Sequence, residues 1–249
     1  MAPENPRRYT HLLFDLDHTL WDFEGNSRRV FRNLFEAHIA PLEAQLDPDR
    51  ALDRYESINA ELWNALRRGE CTKAEVRTLR FERLLKEALP HVRQEQRREL
   101  SSFLEVDFVQ RTPRETGLMP GALKAIQWAS SHFSLHIITN GFPESQHTKV
   151  ACSGLAPYFE TVTTSEEVGA YKPAPEVFEA ALAKAGAEPE KTLVLGDGWE
   201  ADILGAAAFG IDQVYYNPGK VNIPNGHVPT AVLHHWDELA PFLAGIAPD

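Results

Sequence analysis

Asp15-Leu16-Asp17 places two carboxylates two residues apart, directly after the apolar run His11-Leu12-Leu13-Phe14. An extended chain points alternate side chains the same way, so a loop starting here can aim both acids at one point. Alone, such a pair is equally what a helix cap beside a solvated acid would give. A second acidic pair, Asp197 and Asp202, follows the apolar run Thr192-Leu193-Val194-Leu195. Converging carboxylates repel each other, and Mg2+ is the natural neutraliser of an oxygen-only cluster. No His or Cys joins the set, which disfavours zinc. Thr139-Asn140-Gly141 offers a hydroxyl and backbone N–H groups suited to phosphate oxygens, and Lys172 offers a cation. Singly, Thr139 reads as a turn residue and Lys172 as a solvated lysine. Together these groups supply the parts that phosphoryl transfer requires. Asp15, with an ordinary pKa of about 3.9, is ionised and can act as a nucleophile without a base. Asp17 can protonate a leaving alkoxide if crowding and burial raise its pKa, and can later take a proton from water.

Positioning these residues requires strand ends. Besides His11–Phe14, short apolar runs at 135–138, 161–164, 192–195 and 213–216 read as buried strands of a parallel sheet. Helical stretches separate them: about 120–131, 175–184 with Gly186 as its stop, and 200–209 with Gly210 as its stop. Strands alternating with helices indicate βαβ units in a doubly wound, Rossmann-like α/β sheet, which binds ligands at the carboxyl ends of its strands. The candidate residues all fall at such ends. Residues 21–113 differ: they hold no convincing strand, and Val30, Leu34, Phe35 and His38 recur at helical spacing. Asp47-Pro48 and Cys71-Thr72 read as helix starts and Leu89-Pro90 as a break. The expected organisation is an α/β core of residues 1–20 and 114–249, with an all-α cap of four or five helices inserted at 21–113. The tail after Ala247 reads as frayed.

Composition narrows the classes further. In 249 residues, 43% are hydrophobic and 24% charged, as in a globular protein, and the net charge is -11. That charge argues against a nucleic-acid polymer as partner while leaving room for a small anionic substrate at a locally positive site. Cys71 and Cys152 do not make a disulfide framework. Residues 1–30 lack the apolar run of a signal peptide, and no stretch is long enough to span a bilayer. A cytoplasmic protein without membrane partners, monomeric or homodimeric, is expected.

The motif set resembles the phosphatases of the haloacid dehalogenase-like (HAD) superfamily. Asp15-Leu16-Asp17-His18-Thr19-Leu20 is similar to the first motif and Thr139-Asn140-Gly141 to the second. Lys172-Pro173 is similar to the third, and Gly196-Asp197 with Asp202 to the fourth. The resemblance implies Asp15 as nucleophile and metal ligand, and Asp17 as acid/base with its backbone carbonyl on Mg2+. It implies Asp197 as the third protein ligand, Asp202 as ligand or support, and Thr139, Asn140 and Lys172 as phosphate-binding. A cap would close over the site. The likeness extends to bacterial pyrimidine 5′-nucleotidases of the superfamily through residues 17–24, Thr139-Asn140-Gly141-Phe142 with Gln146 and Lys149, residues 164–169, and Asn217-Pro218. This implies a nucleoside monophosphate as substrate. One departure is Gly198-Trp199, where that group usually has a small polar residue followed by Leu. His18, Trp21 and Phe142 are candidates to stack on a base, each also readable as packing or a turn residue. Arg67-Arg68-Gly69 reads as a solvated helix end that could also reach substrate. Alternatives on the same fold are a sugar-phosphate phosphatase, a phosphomutase, a 2-haloacid dehalogenase and a non-catalytic binding protein. Asp17, Lys172 and the acidic pair at Asp197 count against the dehalogenase.

Overall fold

Leu12, Leu13 and Phe14 are all fully buried although they point alternately to opposite faces, so their strand must be covered on both sides. In the computed structural model, which describes residues 9–244, this strand is β1 (His11–Phe14). It lies inside a six-stranded, wholly parallel sheet with β2 (Ser134–Thr139), β3 (Thr161–Thr164), β4 (Thr192–Gly196), β5 (Asp212–Tyr216) and β6 (Ala231–Leu233). The strand order is β3-β2-β1-β4-β5-β6, and the chain reverses its direction of winding between β1 and β4. The five expected strands form within a residue or so of their expected ends. β6, three residues long, was not foreseen because Ala231-Val232-Leu233 is too short to stand out from a loop.

Alternation divides the core into two layers. Leu12 and Phe14 pack with Leu135, Ile137, Leu193 and Leu195 on one face, while Leu13 packs with Ile138, Val194 and Phe178 on the other. Each fully buried aliphatic side chain contributes about 2 kcal/mol of transfer free energy. The register pairs Phe14 with Ile137 and with Leu195, so the next residue, Asp15, emerges at the carboxyl edge between the ends of β2 and β4.

Residues Glu24–Glu115 form one compact unit, and the chain up to Phe23 and from Thr116 onward forms another. The inserted unit contains most of α1 (Phe23–Leu34), then α2 (Pro48–Arg67), α3 (Lys73–Ala88) and α4 (Gln94–Arg111). The Asp47 carboxylate caps α2, and a reciprocal Thr72–Glu75 box caps α3, satisfying N–H groups that the first turn leaves over. Phe31, Tyr55, Phe81 and Phe108 build its aromatic centre, with ring centroids 4.9 Å apart for Tyr55 and Phe81. Arg80 and Glu105 form a buried ion pair beside them. Arg68, at the end of α2, pairs with Glu70 on the surface.

In the sheet-bearing unit follow α5 (Ala122–Ala129), α6 (Pro143–Cys152), α7 (Ser165–Val168), α8 (Pro175–Ala185), α9 (Gly205–Phe209) and α10 (Leu239–Ala244). Gly186 and Gly210 stop α8 and α9 with φ of 64° and 87°. The expected helix at 200–209 instead starts as a π-helical turn, Trp199–Leu204. Among the described residues, no helix is long and apolar enough to cross a membrane. The tail after Ala247 lies outside the described residues.

His136, 1% exposed within β2, meets His11 at 3.1 Å and Thr161 Oγ1 at 2.9 Å. Burial, with the neighbouring His11 adding and Glu160 opposing, lowers its pKa to about 4. A histidine near 6.5 when unfolded takes up a proton that its folded form refuses. Stability from this group is therefore complete above about pH 6.5 and is lost as pH falls toward 4. We expect wild type to lose up to about 3 kcal/mol over that window relative to His136→Gln. Denaturant unfolding at a series of pH values measures this, and parallel curves for the two proteins would contradict it.

Candidate active site

Lys172 is 2% exposed, so its ammonium has left water and must find other partners. Its Nζ donates to Asp15 Oδ1 at 2.7 Å, to Asp202 Oδ1 at 2.6 Å and to the Ile138 carbonyl at 2.9 Å. All three of its N–H donors are used. The loop that carries it is tied down by Asn140, whose Oδ1 accepts from the Lys172 backbone N–H at 2.7 Å and from Ser165 Oγ, while its Nδ2 donates to the Lys172 carbonyl. Asn140 thus builds the site with its side chain.

Asp197 follows β4, and Thr19 holds it from two sides. The Thr19 hydroxyl donates to Asp197 Oδ1 at 2.9 Å and accepts from the Asp197 N–H at 3.0 Å. Trp236 Nε1 fixes Thr19 in turn through its carbonyl. Asp202 folds back from the π-helical turn, so that Gly198 N–H donates to its Oδ2. A Cβ on Gly196 would lie 2.4 Å from that oxygen, which is why glycine is required there. Trp199, the departure noted in this loop, packs edge-on against Tyr215 and near His227.

Asp15, Asp197 and Asp202 bring one oxygen each to within 4.8 Å of one another. Burial pushes the Asp15 carboxyl well above the usual range; Lys172 opposes this, and Asp202 and Asp197 add to it. Burial and Asp202 likewise raise Asp197 to about 6, against His18, Thr19 and Lys172. The expectation that Asp15 keeps an ordinary pKa therefore fails with protein charges alone around it. Once all three are ionised, three carboxylates against one ammonium leave two negative charges uncompensated. An oxygen-only donor set with that residual charge fits a hard divalent cation. Asp15 Oδ2 and Asp197 Oδ2 accept no hydrogen bond from the described residues, whereas both oxygens of Asp202 do.

Asp17 stands apart from this cluster. Lys149 Nζ holds both of its oxygens, at 2.6 and 2.8 Å, and Gln146 Nε2 donates to Oδ2 at 2.8 Å. The two acids of the Asp15–Asp17 pair thus face different surroundings. Thr139 Oγ1 accepts from Gly141 N–H and from Gln146, leaving its own O–H to donate. Trp21 is fully buried and Phe142 is 7% exposed, so neither presents a ring face for a base; His18 is exposed, in the left-handed region at φ 64°, and packs on Phe23. Gln146, Lys149, Thr19 and Trp236 were not singled out as site residues. Gln146 and Lys149 do stand among the residues that carry the resemblance to the nucleotidases, and their i,i+3 spacing puts them on one helix face.

The chain belongs to the haloacid dehalogenase-like hydrolase family, which it matches over residues 9–210. It is a hydrolase of that family. It is 34% identical to YfnB of Bacillus subtilis, named a HAD-hydrolase, over 94% of each chain. A crystal structure of YfnB bound to magnesium superposes with a TM-score of 0.81 at 32% identity, covering 95% of this chain and 99% of that one. The pyrimidine 5′-nucleotidase PynA of Streptococcus pneumoniae is 32% identical over 93% of both chains. A defluorinating L-2-haloacid dehalogenase shares the architecture at a TM-score of 0.74 and 15% identity, covering 96% of this chain and all of that one, a likeness of fold alone.

Removing one partner of a buried ion pair strands the other. Lys172→Met is expected to destabilise the fold by about 3–5 kcal/mol at pH 8. The loss should shrink at pH 5, because acids whose folded pKa is raised destabilise the fold as pH rises through that value. Urea titrations at both pH values test this; a loss independent of pH would show that Lys172 matters for packing rather than charge.

Proposed function

We propose that this chain is a magnesium-dependent phosphomonoester hydrolase acting through a phospho-aspartate on Asp15, with nucleoside 5′-monophosphates, pyrimidine ones above all, as its substrates. The observation that carries the chemistry is Asp15 itself: Oδ1 is fixed by Lys172, while Oδ2 is left open at the carboxyl end of a central strand. The likeness to PynA supports the substrate class. The domain organisation we propose is an α/β core interrupted by a helical cap at about 21–113.

Mg2+ would be held by Asp15, Asp197 and the backbone carbonyl of Asp17, and it supplies the positive charge that lets an anionic nucleophile approach an anionic ester. Asp202, with both oxygens already satisfied by N–H donors, would serve the site by fixing Lys172 and the Gly198 loop. Thr139 O–H and the Asn140 backbone N–H would bind the phosphoryl oxygens, and the Lys172 ammonium, its three N–H groups already taken, would draw them by its charge. Asp15 Oδ2 attacks phosphorus as the bond to the leaving oxygen breaks, and Asp17 gives that oxygen its proton. Asp17 then takes a proton from a water that attacks phosphorus, releasing phosphate and restoring Asp15. The dehalogenase alternative leaves the Asp17–Lys149–Gln146 group and the acidic pair without a task.

Asp15→Asn should release no phosphate from any ester above background, and EDTA should silence wild type until Mg2+ is returned. Phosphate release from UMP and dTMP, with no bisphosphate added, should exceed that from sugar phosphates by about 10-fold or more, a recognition difference of about 1.4 kcal/mol. Turnover by Asp15→Asn would overturn the covalent route, and a requirement for bisphosphate would point to a mutase.

A further inference from the structure

Lys149 is 4% exposed and Gln146 1% exposed, and both project from one face of α6 onto Asp17. A lysine so far from water is costly unless paired, and its long stem gives up rotamer freedom when fixed. Lys149 nevertheless spans both oxygens of Asp17, and its ammonium also lies 4.4 Å from the Trp21 ring centroid and 5.3 Å from that of Phe23. Cation–π attraction of this kind holds the head in one place. Trp21, rejected as a platform for a base, is the shelf beneath this lysine.

Gln146 works from the other side. One Nε2 serves Asp17 Oδ2 at 2.8 Å and Thr139 Oγ1 at 3.1 Å, while its buried Oε1 has no hydrogen-bond partner among the described residues. The amide cannot be turned to satisfy that oxygen without pointing it at a carboxylate. A Cβ on Gly141 would come within 1.5 Å of Nε2 and 2.4 Å of Cδ, so the chain passes Gln146 only because residue 141 has no side chain. An unsatisfied buried acceptor and an obligatory glycine are both costs that packing alone does not require.

We infer that Lys149 and Gln146 are positioning residues that lock the Asp17 carboxylate in register with the phosphoryl group held at Thr139. The inference rests on the reading of Asp17 as acid/base. Asp17 remains 23% exposed at its side chain, so it stays open to a leaving oxygen or a water while its orientation is fixed. Freed of the clamp, the carboxylate would swing about two torsions. A displacement of about 1 Å of this kind costs roughly 10²-fold in rate.

The test uses the full chain with Mg2+ and compares a nucleoside 5′-monophosphate with p-nitrophenyl phosphate, whose leaving group departs without a proton. Lys149→Met and Gln146→Leu should each lower kcat/KM for the nucleotide by about 10–100-fold and change kcat/KM for p-nitrophenyl phosphate less than about 3-fold. kcat should fall for both esters, because breakdown of the phospho-enzyme also uses Asp17. Lys149→Arg should recover much of the loss. Gly141→Ala should behave like Gln146→Leu, yet add little further loss when introduced into Gln146→Ala. Equal losses in kcat/KM on the two esters, or none on either, would overturn the clamp, and so would additivity of Gly141→Ala with Gln146→Ala. Asp17→Asn is the reference: if it spares the nucleotide reaction, the acid/base reading itself fails, whereas an impaired Asp17→Asn beside a normal Lys149→Met rejects only the clamp.

Discussion

One buried ammonium holds the candidate site together. Lys172 is bonded to Asp15, Asp202 and the end of β2, so it joins three segments whose own charges would drive two of them apart. Without it, desolvation and mutual repulsion would act unopposed on carboxylates gathered within 4.8 Å. Much of the neighbouring structure serves to place that nitrogen. Asn140 spends its whole side chain on the Lys172 backbone and Ser165, and glycine at 196 makes room for Asp202 to reach back.

A second consequence is the separation of two acids that are only two residues apart. Asp15 sits among like charges with one cation between them and is short of positive charge. Asp17 sits with a lysine, an amide and an aromatic shelf and is well supplied. Giving neighbouring carboxylates unlike surroundings is how one short loop can support both a nucleophile and a proton carrier. The residual negative charge belongs wholly to the first environment, and that is where a divalent ion would complete the balance.

Much of this was legible before any coordinates. Leu12–Phe14, 193–195 and their counterparts are apolar on both faces, which only a covered parallel strand permits, and Asp47 and Thr72 announce helix starts by their caps. The acids at strand ends followed from the same pattern. Burial decided other readings: of the two open for Trp21, stacking or packing, its full enclosure leaves packing, and Asp15 looked like an ordinary acid until its surroundings were counted.

The sequence by itself determined the local terms: strand and helix identity, caps and stops, and which residues stand where strands end, because these depend on neighbours a few positions away. Only the tertiary structure decided which charges meet. Lys172 reaches Asp15 across 157 positions and Lys149 reaches Asp17 across 132, and no periodicity encodes such pairs. They are fixed by strand order and by the need of each buried charge to find a partner once water has been excluded.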